Sequence, residues 1–270
     1  MRISYLCSLL FCLTLFVPVY LQAQEVEWLE GAYASGNAFV RGQDNAINKN
    51  GEMYSAGQVN SQANQINYLS LNTPIQSSQN NNGYILKKNN QGTGQWLEVI
   101  ENGVVNSITL EDEEYVYVTG KLTGDAYFNG GNDTLQKIST ANLELFIAKF
   151  DQNNGNLIWA TRPLYNGGPI TNTNSSGKTI LFHKGHIYLG GYYTDSIALD
   201  SNIGFNDNGE GGPFIAKYDT SGQPLWGNFT DNTGGSGGSS SSHTVNSLNL
   251  KNDKIITTGT ISNSSSFGLN

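Results

Sequence analysis

The sequence predicts an all-β fold, a β-propeller of four-stranded antiparallel blades with about three full blades plus partial ones from a larger propeller. Three observations predict it. The composition is rich in turn-formers and poor in charge, with Gly 32, charged residues 13%, hydrophobic residues 37% and aromatics 11% over 270 residues. That balance suits short strands joined by tight turns better than helical bundles. Two sequence marks recur with the same period, spaced 63 to 71 residues apart. No stretch after the leader carries a 3.6-residue apolar stripe over three turns.

The chain opens with MRISYLCSLLFCLTLFVPVYLQA, a basic start, an apolar run and a small residue, Ala23. This is the layout of a secretory signal peptide over residues 1–23. Both cysteines, Cys7 and Cys12, lie inside it. The remaining domain, 24–270, then has no disulfide, no thiolate nucleophile and no cysteine-bound zinc. No later segment is long and apolar enough to span a membrane. The formal net charge of −8 argues against a nucleic-acid partner, whose phosphates need clustered Lys and Arg.

The first repeated mark is an apolar run around a lysine, then a polar turn with glycine, then a tryptophan. It reads GYILKKNNQGTGQW (83–96), LFIAKFDQNNGNLIW (145–159) and PFIAKYDTSGQPLW (213–226). The lysines are Lys87, Lys149 and Lys217. The tryptophans are Trp96, Trp159 and Trp226, with Trp28 as a further copy, at spacings of 68, 63 and 67. The second mark is a strand closed by glycine: GEMYSAG, EYVYVTG, GHIYLGG and DKIITTG, ending at Gly57, Gly120, Gly191 and Gly259. The units therefore run roughly 28–95, 96–158, 159–225 and a truncated 226–270.

Within one unit the strands are legible. VVNSITL precedes EYVYVTG, then come LFIAKFD and NLIWAT. In EYVYVTG, Tyr115 and Tyr117 share one face and Val116 and Val118 the other, so both faces are apolar or aromatic. A sheet of that kind must be packed on both sides. The turns DQNNGN and DTSGQ place Gly155 and Gly222 where positive φ is needed. The segments 58–82, 121–144 and 192–212 are expected to be long irregular connections.

The strand Y-V-T-G followed by F-I-A-K-Y-D-x-x-G-x-x-x-W resembles the bacterial β-propeller repeat family labelled SBBP. More loosely, it is similar to quinoprotein-type (PQQ-like) propeller blades, where an Asp, a Gly and a docking Trp recur. The resemblance covers residues 25–268, and Lys88-Asn89 departs from it where the later units have Phe150-Asp151 and Tyr218-Asp219. It implies a secreted or cell-surface bacterial protein.

Candidate chemistry is sparse. The tryptophans read as core between blades rather than sugar platforms. Asp151 and Asp219 read as residues that bond their own turns, with calcium ligation the alternative. The NGGND stretch (129–133) faintly resembles a calcium-binding repeat. His183 and His186 lack a third ligand, His243 lacks a triad partner, and Glu111–Glu114 reads as a solvated turn. GGSGGSSSS (234–242) reads as a loop or linker. No catalytic, metal or cofactor residue is therefore expected. The expected function is an exported, non-catalytic scaffold, secreted or at the outer membrane or cell surface, that binds a protein or carbohydrate through its loops. The alternative is a propeller enzyme, a glycosidase, lyase or quinoprotein-like protein, with a site in the axial channel.

Overall fold

The computed structural model describes residues 33–34, 39–60, 65–68, 71–74, 81–137, 143–163, 174–194, 196–206, 211–231, 243–260 and 266–267. The expected signal segment 1–23, Trp28 and the serine-glycine run 234–242 lie outside them. The described residues are all-β and antiparallel, with one 3-10 turn at Asn129–Gly131. Among them no helix is long and apolar enough to cross a membrane.

The chain forms consecutive antiparallel meanders. The first unit is Val40–Ile47, Met53–Asn60, Asn81–Lys88 and the front half of Gly94–Glu111. The second is the back half of that strand, then Tyr115–Phe128, Glu144–Asp151 and Leu157–Thr161. The third is Ser175–His183, His186–Tyr193, Gly212–Asp219 and Pro224–Asp231. The fourth contributes the hairpin of Thr244–Lys251 and Lys254–Thr260. The units are offset from the Trp-to-Trp period, because each described tryptophan lies on the last strand of its unit; Gly94–Glu111 runs on into the second unit, so the first two units share one eight-stranded sheet, and Pro224–Asp231 also pairs with Ser266–Phe267.

Strand alternation puts two apolar faces on the second and third units. Val116, Val118, Phe146, Ala148 and Phe150 pack with Tyr54, Ile85, Trp96 and Ile100 of the first unit. Their neighbours Tyr117, Leu145 and Ile147 pack the other way, against Ile187, Leu189, Phe214 and Tyr218 of the third. Ile215 turns from the third unit to Val245 and Leu248 of the fourth. Each large side chain buried this way contributes about 1.5–3 kcal/mol, so removing one unit strips a face from the next.

The connections between second and third strands are not wholly irregular, as the sequence suggested. Each carries a small hairpin: Gln65–Tyr68 with Leu71–Pro74, residues 126–128 with Asp133–Leu135, and Ser196–Ala198 with Gly204–Asn206. Two of these plug the cores, through Ala126, Phe128 and Leu135 in one case and Ile197, Leu199 and Ile203 in the other. The apolar residues that do this are few and differently placed, so no repeat marks them in the sequence.

The closing glycines have a common cause. The first strand of every unit bulges at one position, at Gln43, Asn106, Lys178 and Asn246. A bulge bends its strand and shifts its carbonyls. The residue before each bulge pairs with the closing glycine: Gly42 with Gly57, Val105 with Gly120, Gly177 with Gly191, Val245 with Gly259. A Cβ at those four glycines would lie 2.0, 1.8, 2.1 and 2.0 Å from a backbone carbonyl oxygen of the bulged strand. Only hydrogen fits. Gly120→Ala is expected to destabilise the chain by about 3 kcal/mol, read as a lowered urea midpoint with an unchanged slope.

Candidate functional site

The joint between consecutive units is built from the residues that repeat. In the second unit the turn after Glu144–Asp151 closes on itself: Asp151 Oδ1 accepts the Asn153 N–H (2.7 Å), and the Gly155 N–H donates to Asp151 O (3.0 Å). Gly155 has φ +76°, and a Cβ there would strike the Trp96 ring at 2.8 Å. The Trp96 indole N–H then donates to Gln152 O at 2.9 Å. The next joint repeats the arrangement. Asp219 Oδ1 accepts from Ser221 N (2.9 Å), Ser221 Oγ (2.7 Å) and Gln223 N (2.9 Å). Gly222 has φ +85°, with the Trp159 ring 3.1 Å from where its Cβ would be. The Trp159 indole donates to Thr220 O at 3.1 Å. Burial pushes the Asp219 carboxyl up, but the bonds from Ser221, Gln223 and Gly222 outweigh it and hold it below its ordinary value.

The first unit has the same turn with Asn89 in place of aspartate. Asn89 Oδ1 accepts from Gln91 N (3.0 Å) and Thr93 N (2.8 Å), and Gly92 has φ +81°. An amide oxygen serves as well as a carboxylate, so the departure at Lys88-Asn89 changes no geometry. Trp226 packs with Ile215, Val245 and Leu248 at the face shared with the fourth unit.

The lysines sit beneath the tryptophans as cross-strand partners, Lys87 opposite Trp96, Lys149 opposite Trp159, Lys217 opposite Trp226. Lys87 is buried and pairs with Glu52 at 3.0 Å. It also donates to Gln152 O at 3.2 Å. Lys149 is buried, pairs with Glu111 at 3.3 Å and lies 3.6 Å from the centre of the Tyr115 ring. Glu111 also accepts the Tyr117 hydroxyl proton. The acidic turn is therefore not merely solvated, since its first residue supplies the countercharge to a buried ammonium. Lys217 faces Tyr188 at 5.5 Å.

Gln152 is the residue that sequence reasoning missed. It is 1% exposed. Its Oε1 accepts from Tyr54 OH (3.0 Å), and its Nε2 donates to Tyr115 O (2.8 Å) and Asp112 O (3.2 Å). Nothing in the repeat pattern signals it, because the docking acceptor is a main-chain carbonyl that any residue carries.

Next to this joint lies a pocket of about 240 Å³, lined by Trp96, Leu97, Glu98, Asn129, Asn132, Asn154, Gly155 and Asn156. Its wall is amide-rich. Asn129 holds the loop in place: its backbone N–H donates to Glu98 Oε1 (2.6 Å), its Oδ1 accepts from Leu157 N (3.2 Å), and its Nδ2 donates to Asp133. Burial pushes the Glu98 carboxyl up to about 7; the Asn129 N–H pulls against this and the nearby Asp133 charge adds to it. The NGGND stretch thus forms a pocket wall. Its Asn129, Gly130 and Gly131 all take positive φ.

The histidines stand apart. His183 and His186 face each other across a hairpin, with His183 3.7 Å from Asp253. His243 is buried ahead of Thr244–Lys251. Among the described residues no three His, Cys, Asp or Glu side chains stand together as a metal site would require. No family model and no curated protein matches the chain.

Glu98 sets a pH response. Its folded value lies above the ordinary 4.5. Its contribution to stability is then fully present below the unfolded pKa and lost as pH rises through about 7. The thermal midpoint is expected to fall across that window, and Glu98→Gln to flatten the fall, as measured by scanning calorimetry of both proteins.

Proposed function

We propose that the chain is an exported, non-catalytic β-propeller scaffold that binds a protein or carbohydrate ligand, secreted or held at the outer membrane or cell surface. One observation carries this reading: the same tryptophan-to-turn joint links successive four-stranded units, while the hairpins and loops between the joints differ from unit to unit. A constant frame with variable connections is how binding surfaces are mounted on repeat folds. Both faces of the second and third units carry packed apolar residues, which suits blades stacked about a common axis. The leader-like start supports export. The SBBP-like repeat supports the same assignment by resemblance.

The enzyme reading has one observation in its favour. Glu98 lines a polar pocket, and burial raises its carboxyl to about 7, the range that suits a general acid at neutral pH. Asp133 acts on it and would be the second carboxylate of a glycosidase.

Incubating the purified chain with an immobilised glycan panel separates the two. The scaffold reading expects retention of the chain on a glycan class with no shorter products released. Release of shortened glycan, abolished by Glu98→Gln, would replace it with the enzyme.

A further inference from the structure

The first strands of the four units lie side by side, and side chains of one bond the backbone of the next. Asp44 Oδ2 accepts from Ser107 Oγ (2.7 Å) and Ile108 N (3.0 Å). Ser107 Oγ accepts from Ile180 N (3.2 Å) and Thr109 Oγ1 from Phe182 N (3.1 Å). The bulges fall at equivalent points of the four first strands, so Gln43, Asn106, Lys178 and Asn246 occupy matching positions along the stack. Three are amides and one is a lysine.

A second lysine stands beside that one. Thr119 touches Gly177: a Cβ built on Gly177 would lie 1.9 Å from Thr119 Oγ1. Lys121 is two residues from Thr119 on the same strand face, and Lys178 follows Gly177. Asn106 fastens the same place, its Nδ2 donating to Ser176 Oγ (3.1 Å) and Gly177 O (2.7 Å). Both lysines are half-buried. Among the described residues neither makes an ion pair. Lys178 has the face of Tyr192, 5.5 Å from the ring centre.

Two other enclosed cations are answered by acids, while Lys217 faces a tyrosine ring as Lys178 does. Lys87 and Lys149 each have a glutamate. Even the exposed Lys184 has Asp253 at 2.7 Å. In a chain of net charge −8 acids are plentiful, yet among the described residues none pairs with either lysine. Burial lowers the pKa of both ammonium groups, and Lys121 lowers that of Lys178 further. Two adjacent, partly desolvated cations are unfavourable unless an anion joins them.

We infer that Lys121 and Lys178, with the amides at the matching bulge positions, form a binding site for an oxyanion, the carboxylate or phosphate group of a ligand. The site rests on the binding-scaffold reading for its purpose, but not for its test, which needs only the purified chain. Ammonium groups recognise either anion as point charges, and those amides suit the hydroxyls of a sugar acid or sugar phosphate.

The test titrates the full chain with inorganic phosphate, a galacturonate trimer and a neutral galactose trimer, reading heat of binding and thermal midpoint. At least one anion is expected to bind and raise the midpoint, weakening as salt rises, while the neutral trimer does neither. Phosphate alone would name the phosphate class; galacturonate alone would name the carboxylate class. Lys178→Met and Lys121→Met are each expected to weaken binding by about tenfold or more, yet to raise the midpoint without ligand by removing a desolvated charge. Lys184→Met should change neither. The inference is overturned if neither anion binds the wild-type chain, or if both lysine variants bind as tightly as the wild type. An anion-binding chain that also hydrolyses glycans would keep this site and remove the non-catalytic reading.

Discussion

One hydrogen bond organises this protein: an indole N–H given to a main-chain carbonyl in the turn of the following unit. It works because the turn cannot bond that carbonyl itself. The aspartate or asparagine that opens the turn takes the N–H groups, the glycine that closes it clears space for the ring, and the carbonyl between them is left pointing outward. The tryptophan fills the space and satisfies the carbonyl together. A buried polar group left unpaired costs about 1–3 kcal/mol, so loss of the ring removes both packing and pairing at one point.

The lysine below each ring presents a different problem, and the units solve it differently. A half-extended lysine stem lends apolar length to the sheet, but its ammonium needs a countercharge once covered. The first unit takes Glu52, from the turn before the second strand. The second takes Glu111, from the end of the first strand. The third offers the face of Tyr188. The stem is the constant feature and the partner is local, which is why the lysine repeats and its acid does not.

Much of this was legible in the residues. The period of tryptophans and closing glycines is the period of the joints and bulges, and the alternation in EYVYVTG is the division between two cores. What escaped has physical reasons. Gln152 acts through its backbone at the joint, and Thr220 does the same with a different side chain. Glu98 occurs in one unit only, where the corresponding strand positions hold Thr161 and Asn228. The bulged positions carry Gln, Asn, Lys and Asn, because a bulge is a property of the backbone and selects no one residue type. The accessory hairpins carry few apolar anchors in a background of asparagine and serine, and leave no periodic trace.

The account therefore stands on the two described indole bonds. Indole N–H exchange with deuterium, followed by NMR on tryptophan-labelled protein with Trp96→Phe and Trp159→Phe used for assignment, addresses them directly. Trp96 and Trp159 are expected to exchange only when the fold opens globally, slowly and with the core amides. Exchange of either indole at the rate of a solvent-exposed tryptophan, in protein whose core amides stay protected, would contradict the account.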